Sequence, residues 1–93
     1  RDILAKAGSR VWAKDRLEIW SRPLADGTTA VALFNRGLAP RSIEARWEDL
    51  GLSGPQAIRD LWKRADLGTF AEGYSVMVPS HGAVLLKVGQ PQR

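Results

Sequence analysis

The run Leu17–Gly37, LEIWSRPLADGTTAVALFNRG, constrains the fold more than any other part of this 93-residue chain. Leu17, Ile19 and Trp20 lead into Pro23. Asp26-Gly27 then supplies the backbone freedom of a tight reversal, and Thr28 to Phe34 returns to β-branched and aromatic character. The pattern predicts a hairpin. In its second strand, Thr28 to Arg36, Val31 and Leu33 point to one face and Ala32 and Phe34 to the other. Apolar residues on both faces predict a strand in the middle of a sheet.

The rest of the chain repeats this style. Val11 to Lys14 reads as a short first strand and Arg16 to Arg22 as the second. From Arg41 to Trp47, Ile43, Ala45 and Trp47 alternate with Ser42, Glu44 and Arg46, the cleanest half-buried pattern in the chain. WEDLGL follows, where Gly51 relaxes the backbone, a short helical turn fits, and Leu50 and Leu52 can turn inward to plug the core. Pro55 opens QAIRDLW, read as a strand that ends at Lys63-Arg64, before a turn at Asp66-Leu67-Gly68. Gly73 to Pro79 alternates Tyr74, Val76 and Val78 against Ser75 and Met77. His81-Gly82 turns the chain into Ala83 to Val88, apolar on both faces and therefore also central. About six to eight short strands with no amphipathic helix predict an all-β fold, a Greek-key-like antiparallel β-sandwich or a barrel, the sandwich being preferred.

Size and composition close off several function classes. A chain this short makes one domain, which removes roughly 60–70% of its unfolded surface on folding. With 44% hydrophobic and 26% charged residues it is an ordinary globular composition. The longest apolar runs, AVALF and AVLL, fall far short of the roughly 20 residues of a spanning helix, so no membrane partner is expected. Without cysteine there is neither a disulfide framework nor a thiolate metal site, and the compartment stays open. The net charge of +4 raises the question of a polyanion. Arg10, Lys14, Arg16, Arg22, Arg36, Arg41, Arg46 and Arg59 are nevertheless spread singly among acidic residues. That distribution favours a solvated surface over the clustered patch of a nucleic-acid binder.

Candidate chemistry is sparse. Glu48 and Asp49 are adjacent and project in different directions, Asp49 and Asp60 have no supporting spacing, and Asp26 and Asp66 are read as turn residues that satisfy backbone amides. His81 is the single histidine, so a multi-histidine metal site is impossible; PSHG reads as a turn, not as a serine–histidine pair. No GxxxxGK[ST] or GxGxxG phosphate loop occurs, and neither a cofactor nor a metal is expected. The four tryptophans are the harder case, because an exposed indole can stack on a pyranose ring. Trp47 ends a strand on its apolar side and reads as core. Trp20 and Trp62 each follow an apolar neighbour and so face away from it, toward a second surface. Trp12, Trp20, Trp62 and Tyr74 are the candidate interdomain or sugar contacts.

At LEIWSRPLADGTTAVALFNRG, WEDLGL, RDLW, DLGTF and VPSHGAVLLKV the chain resembles the C-terminal β domain of glycoside hydrolase family 27, the α-galactosidases and α-N-acetylgalactosaminidases. The resemblance runs across nearly the whole chain. RDILAKAG is also similar to the family's QDPLGKQG, which follows the catalytic domain, although Arg1, Ile3, Ala5 and Ala7 depart from it. It implies a linker from an absent N-terminal catalytic domain over residues 1–10, a β-sandwich domain over 11–89 and a tail over 90–93. The chain, which begins without methionine or a signal-peptide pattern, is accordingly expected to be a fragment or processed product.

The family's catalysis resides in a (β/α)8 barrel with two aspartates as nucleophile and acid/base, in a retaining mechanism. Asp2, Asp26, Asp49, Asp60 and Asp66 match neither aspartate. The resemblance thus implies a non-catalytic accessory domain whose partner is the catalytic barrel of the same polypeptide, with a secreted or periplasmic parent compatible with it. Two other readings stay open at this point. One is a carbohydrate-binding module for galactose-containing glycans that uses Trp20, Trp62 and Tyr74. The other, carried by charge alone, is a small basic β-barrel for nucleic acid.

Overall fold

A computed structural model describes residues 8–91. Eight strands are formed: β1 (Ser9–Lys14), β2 (Leu17–Pro23), β3 (Thr29–Asn35), β4 (Arg41–Arg46), β5 (Gln56–Asp60), β6 (Ala65–Phe70), β7 (Gly73–Val78) and β8 (Ala83–Gly89). Six of them make one sheet in the order β1-β2-β3-β8-β5-β6, and β4 and β7 make a second sheet of two. Every neighbouring pair is antiparallel. The fold is the β-sandwich expected from the strand pattern, with β3 and β8 at the centre of the larger sheet.

The core follows from the period-two alternation. Leu17 and Ile19 of β2, Val31 and Leu33 of β3, Leu86 and Val88 of β8 and Ile58 of β5 project from the large sheet into one buried cluster. Ile43 and Ala45 of β4 and Val78 of β7 close it from the other side. Each Leu, Ile or Val among them gains about 1.5–3 kcal/mol on full burial.

Trp47 plugs one end. It starts a 3-10 turn, Trp47–Leu50, that ends at Gly51, whose N–H donates to Glu48 O at 3.2 Å and whose φ of 72° turns the Leu52 N–H onto Trp47 O at 2.9 Å. The indole is 2% exposed and donates Nε1–H to Phe70 O at 2.9 Å. Leu50 and Leu52 pack against the same cluster, as their positions in WEDLGL suggest. The opposite joint is Asn35, also buried, whose Nδ2 donates to Ala39 O at 2.8 Å and Val78 O at 2.9 Å, while Oδ1 accepts Gly37 N–H at 2.9 Å. One amide therefore ties the end of β3 to the end of β7.

The structure corrects the reading of residues 56–70. The strand opened by Pro55 stops at Asp60, not at Lys63-Arg64, and Asp66-Leu67-Gly68 is the middle of β6 and not a turn. The reversal lies at 61–64, where Asp60 Oδ1 accepts the N–H of Trp62 at 3.0 Å and of Lys63 at 2.8 Å. Gly68 has a φ of +112° and sits opposite the register shift between Ile58 and Arg59. Its glycine marks a bulge, which also demands a residue free of Cβ constraint.

Candidate functional site

Antiparallel sheets usually turn one polar face to water. The two-stranded sheet does so over most of its outer face, where Ser42 and Glu44 of β4 and Ser75 of β7 are exposed, beside Met77. The outer face of the large sheet does not. Residues alternating with the core positions bring Trp20 of β2 beside Ala32 of β3, Ala32 beside Leu85 of β8, and Leu85 beside Leu61, whose N–H donates to Leu85 O at 3.0 Å. The next row pairs Glu18, Phe34 and Ala83. Ala30 and Ala32 are buried beneath Trp20, Leu24, Phe34 and Leu85, forming a second apolar cluster separate from the core.

Polar groups frame this strip. Glu18 accepts Trp20 Nε1–H at 2.9 Å and Arg36 Nε–H at 2.9 Å, with Arg10 at 4.0 Å. These bonds, the indole's first and Arg36's second, hold the Glu18 carboxyl below its ordinary range. At the opposite side Lys87 pairs with Asp26 at 3.0 Å and Arg59 with Asp66 at 2.9 Å. Asp26 is also held well below the usual carboxylate range, first by the Thr28 hydroxyl and then by the Thr28 N–H. An apolar centre with a charged rim is the anatomy of a protein interface.

The four candidate contacts fall in three places. Trp20 lies on the outer face, as its position after Ile19 suggests. Trp12 sits opposite Ile19 and packs against the main core, as does Tyr74, whose ring centroid is 5.0 Å from that of Phe70. Trp62 is 65% exposed in the turn after β5. Ala32, Leu85 and Leu61 complete the strip; the two-faced apolar character of β3 and β8 is the sequence signal for the first two, whereas Leu61 reaches it only through its pairing with Leu85.

The polar candidates are engaged in structure. Asp60 caps its turn, and Asp66, expected in a turn, stands in β6 against Arg59. Glu48 binds Arg46 at 3.0 Å. Ser80 Oγ–H donates to Gly37 O at 2.6 Å and not to His81, which is exposed in the β7–β8 turn with a φ of 56°. The groove beside Asp26, Arg59, Asp66 and Lys87 is lined by these ion pairs and carries no aromatic platform. Among the described residues no group of three or more acidic or histidine side chains is arranged to hold a metal ion, and no helix is long and apolar enough to cross a membrane.

The family model of the α-galactosidase C-terminal β-sandwich domain matches residues 14–88. A probable α-galactosidase of Dictyostelium discoideum is 40% identical over 74% of the chain, which spans 19% of that protein. α-Galactosidase 2 of Arabidopsis thaliana is 35% identical over 87% of the chain, which spans 21% of it. The crystal structure of α-galactosidase I from Mortierella vinacea superposes with a TM-score of 0.82 at 35% identity, over 87% of this chain and 22% of that one. A family 27 β-L-arabinopyranosidase from Geobacillus stearothermophilus superposes with a TM-score of 0.87 at 26% identity, over 90% of this chain and 19% of that one. The sandwich topology, the core and the extent of the match together make this chain a member of the family of α-galactosidase C-terminal β-sandwich domains.

Proposed function

We propose that the chain is a non-catalytic accessory domain of an α-galactosidase-like, retaining glycoside hydrolase, and that it packs against and stabilises a separate (β/α)8 catalytic barrel of the same polypeptide, which cleaves terminal α-galactosides. The observation that carries this reading is the proportion of the match: the chain spans only about a fifth of its relatives, and the matched fifth is their C-terminal sandwich. The engagement of Asp26, Asp60, Asp66 and Glu48 in turns and ion pairs supports it, because a retaining glycosidase needs two carboxyl groups free to face a sugar about 5–5.5 Å apart. Incubating the 93-residue chain with an aryl α-galactoside tests it. No hydrolysis above background is the expected result, and turnover at the rate of a complete α-galactosidase would sink the reading.

A second reading is favoured by one observation, the exposure of Trp62 on a turn braced by Asp60 and by Arg59, whose guanidinium donates to Arg64 O. A braced, exposed indole suits stacking on a sugar ring. Titration with galactose and galactomannan followed by tryptophan fluorescence decides between the two, a saturable change in the wild type that is lost in Trp62→Ala supporting a carbohydrate-binding module.

A further inference from the structure

We infer that the end of the sandwich formed by the β1–β2, β3–β4, β5–β6 and β7–β8 connections binds an acidic polysaccharide, a chain of uronate sugars. Its carboxylates meet Arg16, Lys63, Arg64 and His81, and one sugar ring stacks on Trp62. The choice of a glycan rests on the glycoside-hydrolase reading above, to which this site is an addition.

Spread singly along the sequence, the charges are sorted by the fold. Every neighbouring pair of strands is antiparallel, so successive connections fall at opposite ends. One end collects Arg16, Arg36, Lys63, Arg64 and His81, with Asp15 as the carboxylate among those connections. At the other end the described connections carry Asp26, Glu48, Asp49 and Glu72 and no cation. Lys87 and Arg46 answer Asp26 and Glu48 there, and Arg36 is taken up by Glu18. Arg16, Lys63 and Arg64 are exposed and have no ion-pair partner among the described residues.

The backbone supplies an independent observation. Asp15, Arg16, Arg64 and His81 have φ of 52°, 67°, 54° and 56°, and all four stand at the basic end. The left-handed positions in the connections of the opposite end are Gly27, Gly51 and Gly54. Such a position is unstrained as glycine and strained as arginine, while Asp and His enter it more readily. Two arginines kept there in place of glycine point to a use for their side chains.

The spacing selects a chain of anionic units over a single anion. Arg16 and His81 line one shallow cavity with Arg36 and Phe34. The β1–β2 and β5–β6 turns lie four strand spacings apart in the large sheet, about 19 Å at about 4.8 Å each. Between them Trp62, 65% exposed on the turn braced by Asp60, offers its indole to the apolar face of a sugar ring. Carboxylates on neighbouring rings then make charge-assisted hydrogen bonds to the cations. A nucleic-acid strand is tracked instead by successive aromatic platforms, and among the described residues Trp62 is the one largely exposed aromatic side chain.

Affinity electrophoresis and calorimetric titration test the site, on the 93-residue chain and on the complete polypeptide, with polygalacturonate, neutral galactomannan and a single-stranded oligonucleotide as probes. Polygalacturonate is expected to bind both proteins several-fold more tightly than galactomannan, with an affinity that falls as salt is added. Arg16→Gly combined with Arg64→Gly should weaken that binding about tenfold or more. The double variant should unfold no earlier than the wild type, because glycine relieves both left-handed residues, so misfolding cannot account for the loss. Undiminished binding by the double variant, or equal affinity for galactomannan, would overturn the acidic ligand and leave a neutral sugar site at Trp62. Tighter binding of the oligonucleotide would hand the end to nucleic acid. Binding by the 93-residue chain but not by the complete polypeptide would mean that the rest of the protein covers this end, and would overturn the site. Absence of binding to every probe would remove the inference and leave the accessory-domain reading, which the aryl α-galactoside assay tests separately, as it stands.

Discussion

Trp20 Nε1 donates to Glu18 Oε1 at 2.9 Å, two residues back on the same outward face of β2. The carboxylate is itself held by Arg36, 2.9 Å away at the end of β3. The pair converts an amphipathic side chain into a fixed apolar cover over Ala30 and Ala32, and joins the corner of the sheet to the loop that leaves it.

Acid should loosen this corner. Glu18 has a folded-state pKa lowered from an ordinary 4.5, first by the Trp20 bond and then by Arg36. Its stabilisation is thus fully present above about pH 4.5 and is lost as pH falls through the lowered folded value. The contribution is about 0.5–1 kcal/mol, since Arg36 is more than half exposed. Urea midpoints at pH 7 and pH 3 check it: Glu18→Gln should be less stable than the wild type at pH 7, with the difference shrinking at pH 3. An undiminished difference would show that the charge is irrelevant. Asp26, shifted in the same direction, remains in both proteins and cancels in the comparison.

Asn35 should tolerate no substitution. Asn35→Ala leaves Val78 O without its buried donor and Gly37 N–H without its acceptor, at a cost of about 2–3 kcal/mol. Asn35→Asp sets a carboxylate oxygen against two carbonyls, so it should be worse than alanine near pH 7 and recover as acid protonates it. Chemical denaturation across pH measures both.

The two-stranded sheet has a steric limit at Gly73. A Cβ there would lie 2.6 Å from Ala45 O and 3.2 Å from Arg46 Cα, backbone atoms that cannot swing away. Gly73→Ala should cost about 1–3 kcal/mol and should act locally. Amide exchange is expected to quicken in β4 and β7 before β2 and β3, and uniform quickening would contradict that locality.

Trp47→Phe should lose about 1–3 kcal/mol, through the bond to Phe70 O and the volume left at the core's end. Thermal unfolding of the variant measures it, and near-wild-type stability would mean that the 3-10 turn, not the indole, holds that end.

Those elements whose logic is local were legible in the chain. Ile43, Ala45 and Trp47 announce their burial by alternation, and β3 and β8 announce a central position because both of their faces are apolar. The Asp26-Gly27 reversal is visible for the same reason, since a residue with a φ of 87° advertises itself as glycine. What stayed hidden depends on side chains finding distant or unusual partners. The β1–β2 turn places Asp15 and Arg16 at positive φ, a conformation that glycine or asparagine would have signalled and these residues do not. At the β5–β6 reversal the decisive group is the buried Asp60 carboxylate, while Gly68, the visible punctuation, serves a bulge. On the outer face Trp20 could be aimed away from the core by its neighbour Ile19, but its companions Leu85 and Leu61 come from strands paired only in three dimensions. Trp62, aimed at that second surface from its place after Leu61, stands instead on a turn.

Calorimetry of the complete polypeptide tests the central claim most directly. If the sandwich packs against and is stabilised by a catalytic barrel, it should melt together with the barrel, roughly 5 °C or more above the 93-residue chain alone. A sandwich transition in the complete polypeptide at the temperature of the isolated chain would contradict the account.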